Sequence, residues 1–244
     1  MNFKGKTAIA TGAASGMALL FLQKMAAAGA NVVLTDVNQD AVEAAAEEIR
    51  SRGGNAIGVA VDVRNYSQIE HAVNLATEKF GGVDFLMNSA GGAASRIWSQ
   101  PDFGTASIES IEWCIDVNLK GAVLFSRAVL KQMCERRSGV IINMGSIDGV
   151  IGGSIDNGAA KSGMIGLSRG LAIYGAPYGV RSVCVSPGPV LTRPAMANMK
   201  TLLGHAARPD EVVELIMFLC SDKAVSITGC NYQIDGGRSC ATGS

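Results

Sequence analysis

Short runs of β-branched and other apolar residues recur along the chain, separated by longer stretches in which apolar positions return every three or four residues. The short runs, predicted as strands, are Thr7 to Ala10, Asn31 to Thr35, Ala56 to Val61, Asp84 to Met87, Gly139 to Met144, Val180 to Val185 and Asn231 to Ile234. They are nearly continuous in hydrophobicity rather than alternating, which is the pattern of strands covered on both faces. Between them Val42, Ala45, Ala46 and Ile49, and again Ile69, Ala72, Val73, Ala76 and Phe80, fall at helical spacing. Each such segment lays one apolar stripe on a sheet. Strands and helices alternating in this way, joined by right-handed crossovers, predict an α/β fold: a doubly wound, Rossmann-like parallel sheet of about seven strands with helices on both faces.

No Pro/Ser-rich linker, low-complexity run, charge block or internal repeat interrupts residues 1–244, so a single domain is expected. Lys+Arg and Asp+Glu both number 21, which removes the basic footprint that nucleic-acid binding usually needs. The apolar runs are short and broken by Gly, Asp or Lys, far from the ~20 apolar residues of a membrane span. Six cysteines, Cys114, Cys134, Cys184, Cys220, Cys230 and Cys240, form no Cys-x-x-Cys pair and suit reduced thiols. Met1 to Lys6 lacks the features of a signal peptide, so a cytoplasmic location is expected.

In such a sheet the ligand crevice lies beyond the carboxyl ends of the strands, and the candidate chemistry falls there. Thr11-Gly12-Ala13-Ala14-Ser15-Gly16-Met17-Ala18 follows the first strand and opens a helix, placing Gly12, Ser15, Gly16 and Met17 where backbone N–H groups can receive a pyrophosphate. Ala18 stands where a third glycine is common, a change the fingerprint tolerates. Asp36 closes the second strand. A carboxylate there accepts hydrogen bonds from both ribose hydroxyls and repels a 2′-phosphate, so NAD is the expected cofactor. Asp62 and Val63 end the third strand, and Asp62 has two readings: holding the adenine amine or capping a turn. Asn88-Ser89-Ala90-Gly91 ends the fourth strand; Asn88, Ala90 and Gly91 line the adenosine ribose on one reading and form a small-residue turn on the other.

Taken with Asn118-Leu119-Lys120-Gly121, Ile142 to Ser146, Lys161, Pro187-Gly188 and Ile234-Asp235-Gly236-Gly237, in this order, the whole chain resembles the classical short-chain dehydrogenase/reductase family. That resemblance implies NAD(P)-dependent interconversion of an alcohol and a carbonyl, usually in a homotetramer. It implies that Ser146 orients the substrate oxygen, Lys161 binds the nicotinamide ribose, Asn118 fixes a water, and Pro187, Gly188, Val190 and Thr192 hold the nicotinamide carboxamide. The fourth catalytic position, the Tyr of Tyr-x-x-x-Lys, is occupied by Asn157. None of the four tyrosines, Tyr66, Tyr174, Tyr178 and Tyr232, falls between Ser146 and Lys161, and that interval is shorter than the family's usual one. A carboxamide neither gives nor takes a proton at physiological pH.

His205, Asp148 and Asp156 are the other titratable groups near the site, with solvated surface roles as the simpler account of each. Met196, Met199, Leu202 and Leu203 read either as an apolar substrate lid or as an ordinary packed helix. The apolar positions Ala122, Phe125, Val129, Met133, Met164, Leu167 and Leu171 exceed what one sheet face needs, which points to a subunit interface. The leading expectation is therefore an NAD-dependent oxidoreductase of a small alcohol/carbonyl pair, with Lys161 or a water standing in for the Tyr. Two alternatives stand beside it: a catalytically silent NAD-binding protein, and a chain in which Asn157 was introduced to trap complexes.

Overall fold

The computed structural model describes residues 1–94, 97–98, 102–192 and 194–241. Seven strands, β1 (Thr7–Thr11), β2 (Asn31–Asp36), β3 (Asn55–Ala60), β4 (Phe85–Asn88), β5 (Gly139–Met144), β6 (Val180–Pro187) and β7 (Asn231–Ile234), form one parallel sheet in the order β3-β2-β1-β4-β5-β6-β7. The chain winds outward from β1 in one direction and from β4 in the other. The loops after β1 and β4 therefore part and leave a crevice between them.

Helices α1 (Gly16–Ala27), α2 (Gln39–Ser51) and α8 (Pro209–Cys220) cover one face; α3 (Tyr66–Phe80), α4 (Ile108–Ile115), α5 (Gly121–Glu135) and α7 (Ile155–Gly175) follow on the other side of the chain's winding, with the short α6 (Asp148–Ile151) above the sheet's carboxyl edge. The predicted stripes of α2 and α3 are buried against the sheet. Strand alternation feeds two cores: Ala8 and Ala10 of β1 join Phe21, Leu22 and Ile216, while Ile9 joins Ile69, Phe125 and Val129. Each such fully buried large side chain contributes ~1.5–3 kcal/mol.

Strand ends differ from the sequence expectation for local reasons. Asp84 precedes β4 because its carboxylate accepts from the Thr7 N–H at 2.9 Å and pairs with Lys6. Strand β6 runs on to Pro187, which pairs with Ile234 as the final residue of the strand, where a missing N–H costs no further ladder bond. The apolar positions of α5 and α7 divide, with Leu167 half-buried and lining an outward groove and the others packed inward. Ala122, Phe125, Val129, Met133, Met164 and Leu171 are all buried within the chain's own core. The outward face between α3, α5 and α7 instead carries a groove of about 790 Å³ lined by Tyr66, Val123, Arg127, Leu130, Tyr174 and Tyr178. Among the described residues no helix is long and apolar enough to cross a membrane.

Candidate active site

The end of β1 is tied to the end of β4: Thr11 Oγ1 accepts from the N–H groups of Ser89 and Ala90, both at 2.9 Å. Gly12 takes φ 67°, and a Cβ there would lie 2.9 Å from Ala90 Cα, so only glycine permits the approach. Ser15, Gly16 and Met17 then open α1 onto a cleft of about 760 Å³. The first turn of α1 holds no acid and Ser15 makes no capping bond, whereas α2, α3 and α4 are capped by Asn38, Asn65 and Ser107. A Cβ on Gly16 would meet nothing within 4 Å. Open space beside the positive end of a helix fits the phosphates of a dinucleotide. Asp36 sits beside this turn, its Oδ2 accepting from Ala14 N at 3.3 Å and its Oδ1 from Asn38 N at 3.2 Å.

Five expected cofactor residues take other roles. Asn88 is turned into the core, where Nδ2 donates to Ser126 Oγ at 3.1 Å and Asn143 Oδ1 at 2.8 Å; the network continues from Asn143 to Ser168 and Ser182. It ties β4, β5 and β6 to α5 and α7 rather than reaching the cleft. Both Asp62 oxygens are held by Arg64, which also donates its backbone N–H at 2.9 Å, so Asp62 closes a turn. These Arg64 hydrogen bonds, winning over burial, hold its carboxyl below the usual range. Val63 is buried against Gly121, and Val190 is buried in a bridge to Ala207; both act as supports. Ala90 likewise contributes through its backbone.

Asn118 is completely buried in one widened π turn (Asp116–Lys120) between α4 and α5. Its Oδ1 accepts from Gly92 N, and its Nδ2 donates to Gly92 O and Cys114 O, all at 2.9 Å. The side chain thus clamps the Gly91-Gly92 loop, which lines the cleft. A Cβ on Gly91 would run into Asn118 Oδ1, so the clamp also requires glycine there. The neighbouring Cys114 thiol is pushed up to about 11 by burial and by Asp156, which makes it inert at neutral pH.

Ser146, Asn157 and Lys161 converge on the same cleft as the glycine turn, together with Pro187, Gly188 and Thr192. Ser146 follows β5, and its Oγ accepts from Asp148 N at 3.1 Å, which leaves the hydroxyl hydrogen to be donated elsewhere. Asn157 and Lys161 lie one turn apart on α7; Lys161, 8% exposed, donates to Met144 O at 3.0 Å. Asn157 Nδ2 donates to Asp148 Oδ2 at 3.3 Å. Gly188 N donates to Ile234 O at 3.1 Å. Met196 and Met199 line the cleft, while Leu202 and Leu203 are exposed. His205 is exposed and lies outside the lining. Asp148, read from sequence as a solvated turn former, lines the cleft; Gly92 and Arg238 line it too, and nothing in the sequence singles those two out.

Residues 12–239 match the family model described as enoyl-(acyl carrier protein) reductase. The chain is 36% identical to trans-4-hydroxycyclohexanecarboxylate dehydrogenase of Sinomonas cyclohexanicum over 246 residues, 96% of this chain and 92% of that protein. It is 34% identical to D-threitol dehydrogenase of Mycolicibacterium smegmatis over 247 residues, 96% of this chain and 92% of the relative. The crystal structure of a short-chain type dehydrogenase/reductase from Mycobacterium marinum matches with a TM-score of 0.90 at 29% identity, covering 98% of this chain and 97% of that one. The likeness thus runs across nearly the full length of known oxidoreductases, and the chain belongs to the classical short-chain dehydrogenase/reductase family.

Proposed function

We propose that the protein is an NAD-dependent oxidoreductase that interconverts a secondary alcohol and a carbonyl, with Asn157 in the place of the family's proton-carrying Tyr. The observation that carries this reading is the meeting of Ser146, Asn157 and Lys161 with the open glycine turn of α1 in one cleft. The turn from Gly12 to Met17 would hold the pyrophosphate, Asp36 the adenosine ribose, Lys161 the nicotinamide ribose, and the Pro187-Gly188-Thr192 segment the carboxamide. When bound, the dinucleotide supplies a two-electron hydride acceptor or donor. Ser146 Oγ–H orients the substrate oxygen, and the Asn118 clamp keeps the Gly91-Gly92 wall in place. Asp36 is followed by Val37 and Asn38 rather than by a cation, which supports NAD over NADP.

The two named relatives act, by their names, on a cyclic hydroxy acid and a polyol, so cyclic and acyclic secondary alcohols are the substrate class to test. A cytoplasmic homotetramer is part of the proposal, with the Tyr66–Val123–Tyr174–Tyr178 groove as one contact. The second reading, a silent NAD-binding protein, is favoured by Asn157 alone. Formation of NADH from a panel of secondary alcohols by the purified chain separates the two: turnover with any of them supports the enzyme, and tight NADH binding with no turnover supports the silent binder.

A further inference from the structure

Asn157 is 7% exposed, and its Oδ1 is buried without a hydrogen-bond partner. An orphaned buried acceptor costs about 1–3 kcal/mol, so this atom points to a donor that arrives from outside the chain. The other end of the carboxamide is committed: Nδ2 donates to Asp148 Oδ2. Asp148 lines the same cleft as Ser146, Asn157 and Lys161. Its backbone N–H donates to Ser146 Oγ, and its carboxylate packs closely against Gly153 of the loop before α7. Asp148 is thus tied at both ends, its backbone to the hydroxyl that would orient a substrate oxygen and its carboxylate to the carboxamide that stands in for the phenol, in the cleft that all three line.

We propose that Asp148 is the proton carrier of this site and that Asn157 is its positioning residue. The inference rests on the oxidoreductase reading above. In the oxidation direction the alcohol O–H bond breaks and its proton passes to Asp148. A bound oxidised nicotinamide would supply the acceptor for the electron pair of the breaking C–H bond as the carbon–oxygen double bond forms. Asp148 then loses the proton to water at the open mouth of the cleft; reduction runs the same steps in reverse. A carboxamide cannot perform the transfer, but it can hold a carboxylate that does. The charged groups that line the cleft with Asp148 are Lys161 on α7 and Arg238, while Asp156 at the start of α7 accepts from Asn157 N at 2.7 Å. Oxidation uses this carboxylate as the base, so an acid limb in kcat is the signature that such a carrier leaves.

The test is the pH profile of kcat for alcohol oxidation by the purified full chain and its variants, with NADH affinity measured by calorimetry alongside. Asp148→Asn, which keeps the side chain's shape, lowers kcat by about 10²–10⁴-fold, leaves KM and NADH affinity close to wild type, and abolishes the acid limb. Asp148→Glu restores part of the rate with a displaced limb. Asn157→Leu lowers kcat by less and keeps the limb. An active wild type matched by Asp148→Asn in rate and acid limb overturns the inference and leaves the oxidoreductase reading intact. So does an Asp148→Asn variant whose NADH affinity and melting temperature fall together with its rate. A wild type that binds NADH yet turns over no alcohol overturns both.

Discussion

Asn118→Leu is the substitution whose effect can be worked most directly from the structure. Leucine keeps the branch at Cγ but cannot donate or accept, so the loss is chiefly polar, with some crowding against Gly91 added. Three hydrogen bonds to the backbone disappear, to Gly92 N, Gly92 O and Cys114 O, together with a long one to Cys114 Sγ at 3.6 Å. At about 0.5–1.5 kcal/mol net each, these sum to ~2–4 kcal/mol, with a larger loss where Gly92's groups stay dry and unpaired. For a chain of this size 1 kcal/mol moves the melting temperature by roughly 2–4 °C, so a fall of about 4–16 °C is expected in scanning calorimetry. NADH affinity falls too, because the Gly91-Gly92 wall loses its clamp. A melting temperature within about 2 °C of wild type would show that the buried amide holds nothing, and the clamp argument would fail.

Asp36→Ala narrows the preference for NAD(H) over NADP(H) by on the order of 1–3 kcal/mol, the usual scale for charge-assisted hydrogen bonds; calorimetry with both cofactors checks it, and an unchanged ratio removes Asp36 from the site. Burial pushes the Asp235 carboxyl up, but hydrogen bonds from Ser239 and Gly237 win and hold it below its ordinary value. A lowered folded pKa means that its stabilisation is present above the unfolded carboxyl range and is lost as pH falls through the folded value. Asp235→Asn therefore flattens the acid side of a stability-versus-pH curve measured by denaturant unfolding, and an acid side as steep as wild type contradicts this. Cys230 and Cys240 are exposed, while Cys114 and Cys220 are buried with thiols pushed up by burial to about 11 and about 12. Thiol titration of the native protein labels the first two quickly and these two only on unfolding; rapid native labelling of Cys114 refutes the burial argument.

The seven strands were legible because each is a short β-branched run covered on both faces, and hydrophobicity alone marks such runs. The end of the sheet that holds the site followed from where the glycine turn, Asp36 and Ser146 fall after their strands. Side-chain direction was not legible. Asn88 ends β4 as expected, yet it faces inward because Ser126 and Asn143 wait there, 38 and 55 positions away in the chain. Asp62 meets Arg64, a local pairing the spacing allowed but did not require. Most apolar positions of α5 and α7 are not surplus, because a helix packed between sheet and neighbouring helices buries more than one stripe, while Leu167 lines the outward groove. Asp148 was set aside as a loop carboxylate; only its contact with Asn157 gives it chemistry.

The central question for this enzyme family member is whether a site with Asn157 in place of a phenol still transfers hydride. The direct measurement is initial-rate NADH formation by the purified wild-type chain with cyclic and acyclic secondary alcohols, run in parallel with NAD and NADP. Slow but substrate-dependent turnover with NAD, weaker with NADP, is the predicted result. Saturating NADH binding with no turnover of any alcohol, or of the matching carbonyls in reverse, would contradict it.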